Sequence, residues 1–142
     1  MAAKLTLVAV GKIKEPAISG LISEFLKRLK PMCEVSIVEL KDEGLQKEAL
    51  KLSKYLGTNS YILDEAGKQY SSQEFAALLK KQEQPITFII GGPEGISPEL
   101  KKRANIISLS RMTLTHEMTR LFLIEQVYRA YMINSGRGYY QK

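Results

Sequence analysis

The sequence predicts an α/β fold: a mainly parallel sheet flanked by helices. Three observations point to it. Short β-rich apolar runs alternate with helical patterns along the chain, the signature of strands joined by crossover helices. Ile86 to Ile90 (ITFII) is apolar without a break, as expected of a central strand covered on both faces. No linker, repeat or low-complexity stretch divides the 142 residues, which read as one domain, 1–142.

The elements follow in order. Leu5 to Val10 is a β-rich run ending at Gly11. Pro16 to Leu29 carries Ile18, Leu21, Ile22, Phe25, Leu26 and Leu29 at helical spacing, and Pro31 closes it. Glu34 to Leu40 alternates apolar and polar residues, which suggests a strand nearer the sheet edge. Gly44 to Leu56 is a mixed amphipathic helix with Gly57 at the expected C-cap. Asn59 to Leu63 reads as the third strand, followed by a polar loop from Asp64 to Lys68. Ser71 to Gln82 is a helix capped by Ser71 or Ser72, with Phe75, Leu78 and Leu79 facing inward. After the ITFII strand, Gly91-Gly92-Pro93-Glu94-Gly95 breaks the chain. Ser97 as N-cap and Pro98 at the first helical position then start a short helix. Ile106 to Leu109 is a fifth strand, and a long helix runs from about His116 to Ile133.

That last helix is apolar on nearly every side, through Met118, Leu121, Phe122, Leu123, Ile124, Val127, Tyr128, Tyr131, Met132 and Ile133. Such a helix needs cover on more than one face, which predicts an isologous homodimer built partly on it. Glu125 and Arg129 stand in the favourable i,i+4 order for an ion pair.

A hydrophobic fraction of 44% and a charged fraction of 25% describe a globular domain rather than a disordered chain. The net charge is +6, and from Lys101 onward there are eight basic residues against Glu117 and Glu125 alone. That segment therefore carries the bias, and it is where a phosphate-facing surface is expected. Cys33 and His116 are the only residues of their kinds, so neither an internal disulfide nor a transition-metal cluster is expected. The Leu5–Val10 run is too short for a secretory core, and nothing reaches membrane-spanning length; a soluble, cytoplasmic protein is expected.

Ligands of such folds sit beyond the carboxyl ends of the strands. Two segments there draw notice. Gly91–Gly95 is either a tight turn or a place where backbone approaches a ligand; it is neither a dinucleotide fingerprint nor a P-loop. Leu109–Glu117 mixes hydroxyls, a long apolar side chain and free amides, suited to a ligand with adenine and sulfonium parts, or else serves as an ordinary connection. His116 and Arg120, four residues apart, share one helix face; the histidine is either structural or catalytic, and the arginine is either a solvated helix charge or a contact to a phosphate or substrate oxygen. The tail Gly136–Lys142 combines Tyr139 and Tyr140 with positive charge, a composition suited to unpaired bases or to a frayed end.

At these residues the chain resembles the RlmH (YbeA-like) family of SPOUT ribosomal RNA large subunit methyltransferases, bacterial enzymes that methylate N3 of a pseudouridine in 23S ribosomal RNA. The resemblance runs through Val8–Lys12, Leu63-Asp64 with Gly67-Lys68, Ser71–Phe75, Phe88–Gly92, Ser108–Ser110, Met112–Leu114, His116, Arg120 and Glu125–Ala130. It implies a C-terminal trefoil knot, a homodimer, and S-adenosylmethionine held by Leu63, Gly91 and Leu109, Ser110, Arg111, Met112, Thr113 and Leu114. His116, Arg120, Tyr139 and Tyr140 would then hold the uracil edge, with Arg111, Arg129 and Arg137 near phosphates or the base, on an assembled large ribosomal subunit. The chain departs from the family at Tyr140, where a tail histidine is usual, and is shortened between the second and third strands. A non-catalytic, donor-binding ribosome assembly factor is the alternative.

Overall fold

The computed structural model describes residues 3–81 and 85–137. Five strands form one parallel sheet: β1 (Ala3–Val10), β2 (Cys33–Leu40), β3 (Ser60–Gln69), β4 (Ile86–Ile90) and β5 (Asn105–Ser108), in the spatial order β2-β1-β4-β3-β5. The uninterrupted apolar run is indeed an inner strand, β4, between β1 and β3, and the alternating one is the edge strand β2. Register is regular where both faces are covered, from Leu5 opposite Ile86 to Ala9 opposite Ile90.

Five helices cover the sheet: α1 (Pro16–Leu29), α2 (Leu45–Leu52), α3 (Ser72–Lys81), α4 (Pro98–Lys101) and α5 (His116–Asn134). Strand alternation decides which face meets which helix. Leu5, Leu7, Ala9, Phe88 and Ile90 point to a core shared with α1, α3 and α5. Val8, Val10, Ile62 and Ile89 point the other way, to Leu52 of α2 and Ile96 and Leu100 beside and within α4. The result is three layers, helices on both faces of the sheet.

Helix ends follow local chemistry. Ser71 and Glu74 form a reciprocal capping box: the Glu74 amide donates to Ser71 Oγ at 3.0 Å and the Ser71 amide to Glu74 Oε1 at 2.7 Å. The Ser71 amide, aided by the Ser71 hydroxyl, holds the Glu74 carboxyl below its usual range. Ser97 caps α4 through the Leu100 amide, and Thr115 caps α5 through the Met118 amide.

Two boundaries and one burial pattern differ from the sequence reading. The helix expected over Gly44–Leu56 ends at Leu52 and tightens into a single 3-10 turn, Ser53–Tyr55; Leu56 is already extended, so Gly57 is not its C-cap. The third strand continues past Leu63 to Gln69, but its register against β5 slips: Leu63 and Lys68 both lie opposite Ile107. The polar segment Asp64–Gly67 is therefore an excursion inside a strand rather than a loop after one. Gly67 permits the return, since a Cβ there would sit 2.7 Å from the Ile107 carbonyl carbon. The last helix, expected to be buried all round, buries Leu121, Leu123, Ile124, Val127 and Ala130 but leaves Phe122 40% exposed.

Candidate functional site

Beyond the carboxyl ends of β4 and β5, beside the excursion within β3, lies an open cavity of about 190 Å³. Three stretches of backbone wall it: Leu63 to Glu65, Ile90 to Ile96, and Leu109 to Leu114, with His116 and Thr119 of α5 closing one side. The first wall opens at the register slip of β3, and the second and third follow the ends of β4 and β5.

The second wall is a tight turn in which the Gly95 amide donates to the Gly92 carbonyl at 2.9 Å. Gly91 cannot carry a side chain here: a Cβ would stand 2.6 Å from the Gly95 carbonyl oxygen. The glycine segment is thus a tight turn, and Gly91 is required by the close approach of the Gly95 backbone within it. The third wall is shaped by serines. Ser108 Oγ donates to the Ser110 carbonyl at 2.8 Å, and the Met112 amide donates to Ser110 Oγ at 2.9 Å, leaving Met112 78% exposed. The first and third walls are joined side chain to side chain, Thr113 Oγ1 donating to Glu65 Oε2.

Of the residues the sequence placed at the donor, Leu63, Gly91, Leu109, Ser110, Met112, Thr113 and Leu114 line this cavity; Arg111 is exposed and off its wall. His116 lines it too. Its Nδ1 is buried with no hydrogen-bond partner among the described residues, and its ring packs against Gly11. Arg120 does not reach the cavity wall. It is 2% exposed, with Nη1 donating to Glu39 Oε2 at 2.5 Å and Nη2 to the Gly11 carbonyl at 2.9 Å. Tyr139 and Tyr140 lie outside the described residues.

Sequence reasoning gave no contact role to Asp64, Glu65, Ile96 and Thr119, all on the wall. The available signal was the polar excursion next to Leu63, where two carboxylates follow a buried strand end. Asp64 Oδ2 accepts from the Ala66 amide at 3.0 Å, and its Oδ1 pairs with Lys101 Nζ at 2.9 Å. Beside His116, the Glu15 amide donates to Glu117 Oε1 at 3.1 Å, which holds that carboxyl below its usual range and ties the β1–α1 loop to the first turn of α5.

The basic bias of the C-terminal segment narrows once its ion pairs are counted. Lys101 is engaged by Asp64, Arg120 by Glu39, and Arg129 by Glu125 at 2.8 Å. Lys102, Arg103, Arg111 and Arg137 are exposed. A second cavity, about 380 Å³, lies between α3 and α5 beside Phe122. Its polar wall is already knitted together: Ser72 Oγ donates to Gln126 Oε1 at 2.8 Å, and Gln126 Nε2 to Glu125 Oε1 at 2.9 Å. The first cavity, with loop segments on three sides and His116 on its wall, is the better candidate for chemistry. Among the described residues no group of three or more histidine, cysteine or carboxylate side chains is placed to hold a metal, and no helix is long and apolar enough to cross a membrane.

Comparison with known proteins agrees with this geometry. The chain of the structure described as "Structural insights into the 2-OH methylation of C/U34 on tRNA" superposes with a TM-score of 0.53 at 12% identity, covering 95% of this chain and 99% of that one, a likeness of fold. The ribosomal RNA large subunit methyltransferase H of Halothermothrix orenii is 40% identical over 158 residues, 97% of this chain and 99% of its own. That of Clostridium novyi is 39% identical over 157 residues, 96% and 99% of the two chains. A family model described as "Predicted SPOUT methyltransferase" matches residues 3–140. The chain belongs to the SPOUT methyltransferases, within the ribosomal RNA large subunit methyltransferase H family.

Proposed function

We propose that this protein transfers a methyl group from S-adenosylmethionine to N3 of a pseudouridine in large-subunit ribosomal RNA, as a cytoplasmic homodimer acting on assembled ribosomes. The observation that carries the reading is the cavity itself. In a chain of this family, three loop segments, one of them a glycine turn with no room for a side chain at Gly91, border an open space beside the strand ends, as a flat adenosine and its short charged arm require.

The residues fit the donor. Leu63, Ile96, Leu109 and Leu114 offer apolar surface for the adenine, and the Leu109–Leu114 backbone offers amides and carbonyls for its edge. When bound, the donor supplies a methyl group already activated on a sulfonium, so the protein's work is positioning and removal of one proton. His116, which lines the cavity, is the group we assign to hold or accept the N3 proton of the imide. Arg120 stands behind it, gripping Gly11, whose backbone the imidazole rests on. Tyr139 and Tyr140 are assigned to the target base through the family resemblance alone. The trefoil knot is likewise carried by family membership. The half-exposed apolar side of α5 around Phe122 is the surface proposed for the twofold contact. Lys102, Arg103, Arg111 and Arg137 are the cations available to phosphates.

The test is methyl transfer from labelled S-adenosylmethionine to ribosomes lacking the modification. Label is expected at one pseudouridine of the large subunit and at a much lower rate on naked RNA. Donor binding without transfer would leave instead a donor-binding assembly factor, the reading to which the departure at Tyr140 points.

A further inference from the structure

The charge of the donor cavity is opposite to that of the protein. The chain carries +6, yet among the described residues the cavity wall has two carboxylates, Asp64 and Glu65, and neither lysine nor arginine. The two carboxylates are not equivalent. Asp64 is neutralised by Lys101 at 2.9 Å and spends its second oxygen on the Ala66 amide. Glu65 has no cationic partner among the described residues. The bond it accepts comes from the neutral hydroxyl of Thr113, and the next lysine along the strand, Lys68, is turned away over the Tyr70 ring at 5.1 Å. Glu65 is thus an uncompensated negative charge pinned to the rim of the cavity by a hydroxyl from the opposite wall.

Resting on the donor-cavity reading above, we infer that Glu65 reads the sulfonium charge of the donor and so discriminates S-adenosylmethionine from its demethylated product. Methyl transfer leaves the bonding pair on sulfur and turns a cation into a neutral thioether. A fixed carboxylate at this wall therefore attracts the donor and has no such hold on the product, which favours exchange of one for the other after each turnover. The Thr113 bond holds the carboxylate at the rim of the cavity, and it links the first and third walls. Because Glu65 is exposed, the discrimination is modest and weakens as salt screens it.

The experiment is calorimetric titration of the full chain with S-adenosylmethionine and, separately, S-adenosylhomocysteine, for the unmodified protein, Glu65→Gln and Glu65→Asp. Glu65→Gln is expected to weaken S-adenosylmethionine about fivefold, the worth of one partly solvated ion pair, and to leave S-adenosylhomocysteine unchanged. Glu65→Asp, which keeps the charge, is expected to retain most of the preference, and the preference is expected to shrink between low and high salt. Equal weakening of both compounds by Glu65→Gln overturns the inference, since Glu65 would then serve a part that donor and product share. So does an unchanged ratio. Thermal melting of each variant checks that the fold is kept. Failure of the underlying reading looks different: the unmodified protein then binds neither compound, and both readings fall together.

Discussion

Arg120 and Glu39, 81 residues apart, meet at 2.5 Å, with the arginine side chain 3% and the glutamate side chain 36% exposed. The guanidinium also donates to the Gly11 carbonyl, so a single side chain from the first turns of α5 fastens that helix to the ends of β1 and β2. One turn earlier on the same helix, His116 rests on Gly11 and lines the cavity. A residue that read as a contact to RNA is, in the single chain, a buried strut beneath the candidate proton acceptor.

Removing the strut's counter-charge is expected to cost more than surface ion pairs do. Glu39→Ala strands a buried guanidinium whose Nε already lacks a partner. The expected loss is about 3 kcal/mol in denaturant unfolding. A loss within the range of an exposed pair, below about 1 kcal/mol, would show that the guanidinium finds water.

Arg120→Ala is expected to slow methyl transfer at limiting RNA, because the Gly11 support of His116 is released. Donor affinity by calorimetry is expected to change little, since Arg120 is off the cavity wall. Unchanged transfer would remove Arg120 from the assignment.

Gly91→Ala places a methyl 2.6 Å from the Gly95 carbonyl oxygen, backbone that cannot step aside cheaply. A stability loss of about 1–3 kcal/mol is expected, together with loss of measurable donor binding. Gly20→Ala, where a Cβ meets nothing within 4 Å, is the control in thermal melts.

Phe122→Glu tests the twofold contact. Phe122 is 40% exposed in the single chain, so a charge there harms the isolated fold little. It is expected to shift sedimentation from dimer to monomer. A dimer that persists unchanged would place the interface elsewhere.

Glu48 supplies a pH test. It is 2% exposed, its Oε2 accepts from the amides of Glu43 and Gly44, and burial, aided by the nearby Asp42 carboxyl, pushes its pKa above the usual carboxylate value. A carboxyl whose folded pKa is raised contributes stability that is full below the unfolded value and is lost as pH rises through the folded one. Glu48→Gln, which keeps the acceptor and cannot ionise, is therefore expected to gain stability relative to the unmodified protein as pH climbs from 4 to 7. A difference that stays flat across that range would show that Glu48 titrates normally.

The sequence by itself determined the elements and the chemistry at their ends. Period and apolar continuity marked β4 as an inner strand and β2 as an edge, while Ser71, Ser97 and Pro98 marked helix starts, because these signals act within a few residues of chain. Much of the candidate cavity wall was legible as well: Leu63, Gly91, Leu109, Ser110 and Met112 to Leu114. Only the tertiary structure decided the rest. The slip of β3 that carries Asp64 and Glu65 to the cavity depends on how β5 pairs with it, and no local pattern encodes that pairing. Glu65 meets Thr113 across 48 residues, and Arg120 meets Glu39 across 81. A charged side chain reads the same whether it ends in solvent, against a counter-ion or on the rim of a cavity. Its environment is set by which strands and helices come to surround it, and that is fixed by the packing of the whole sheet.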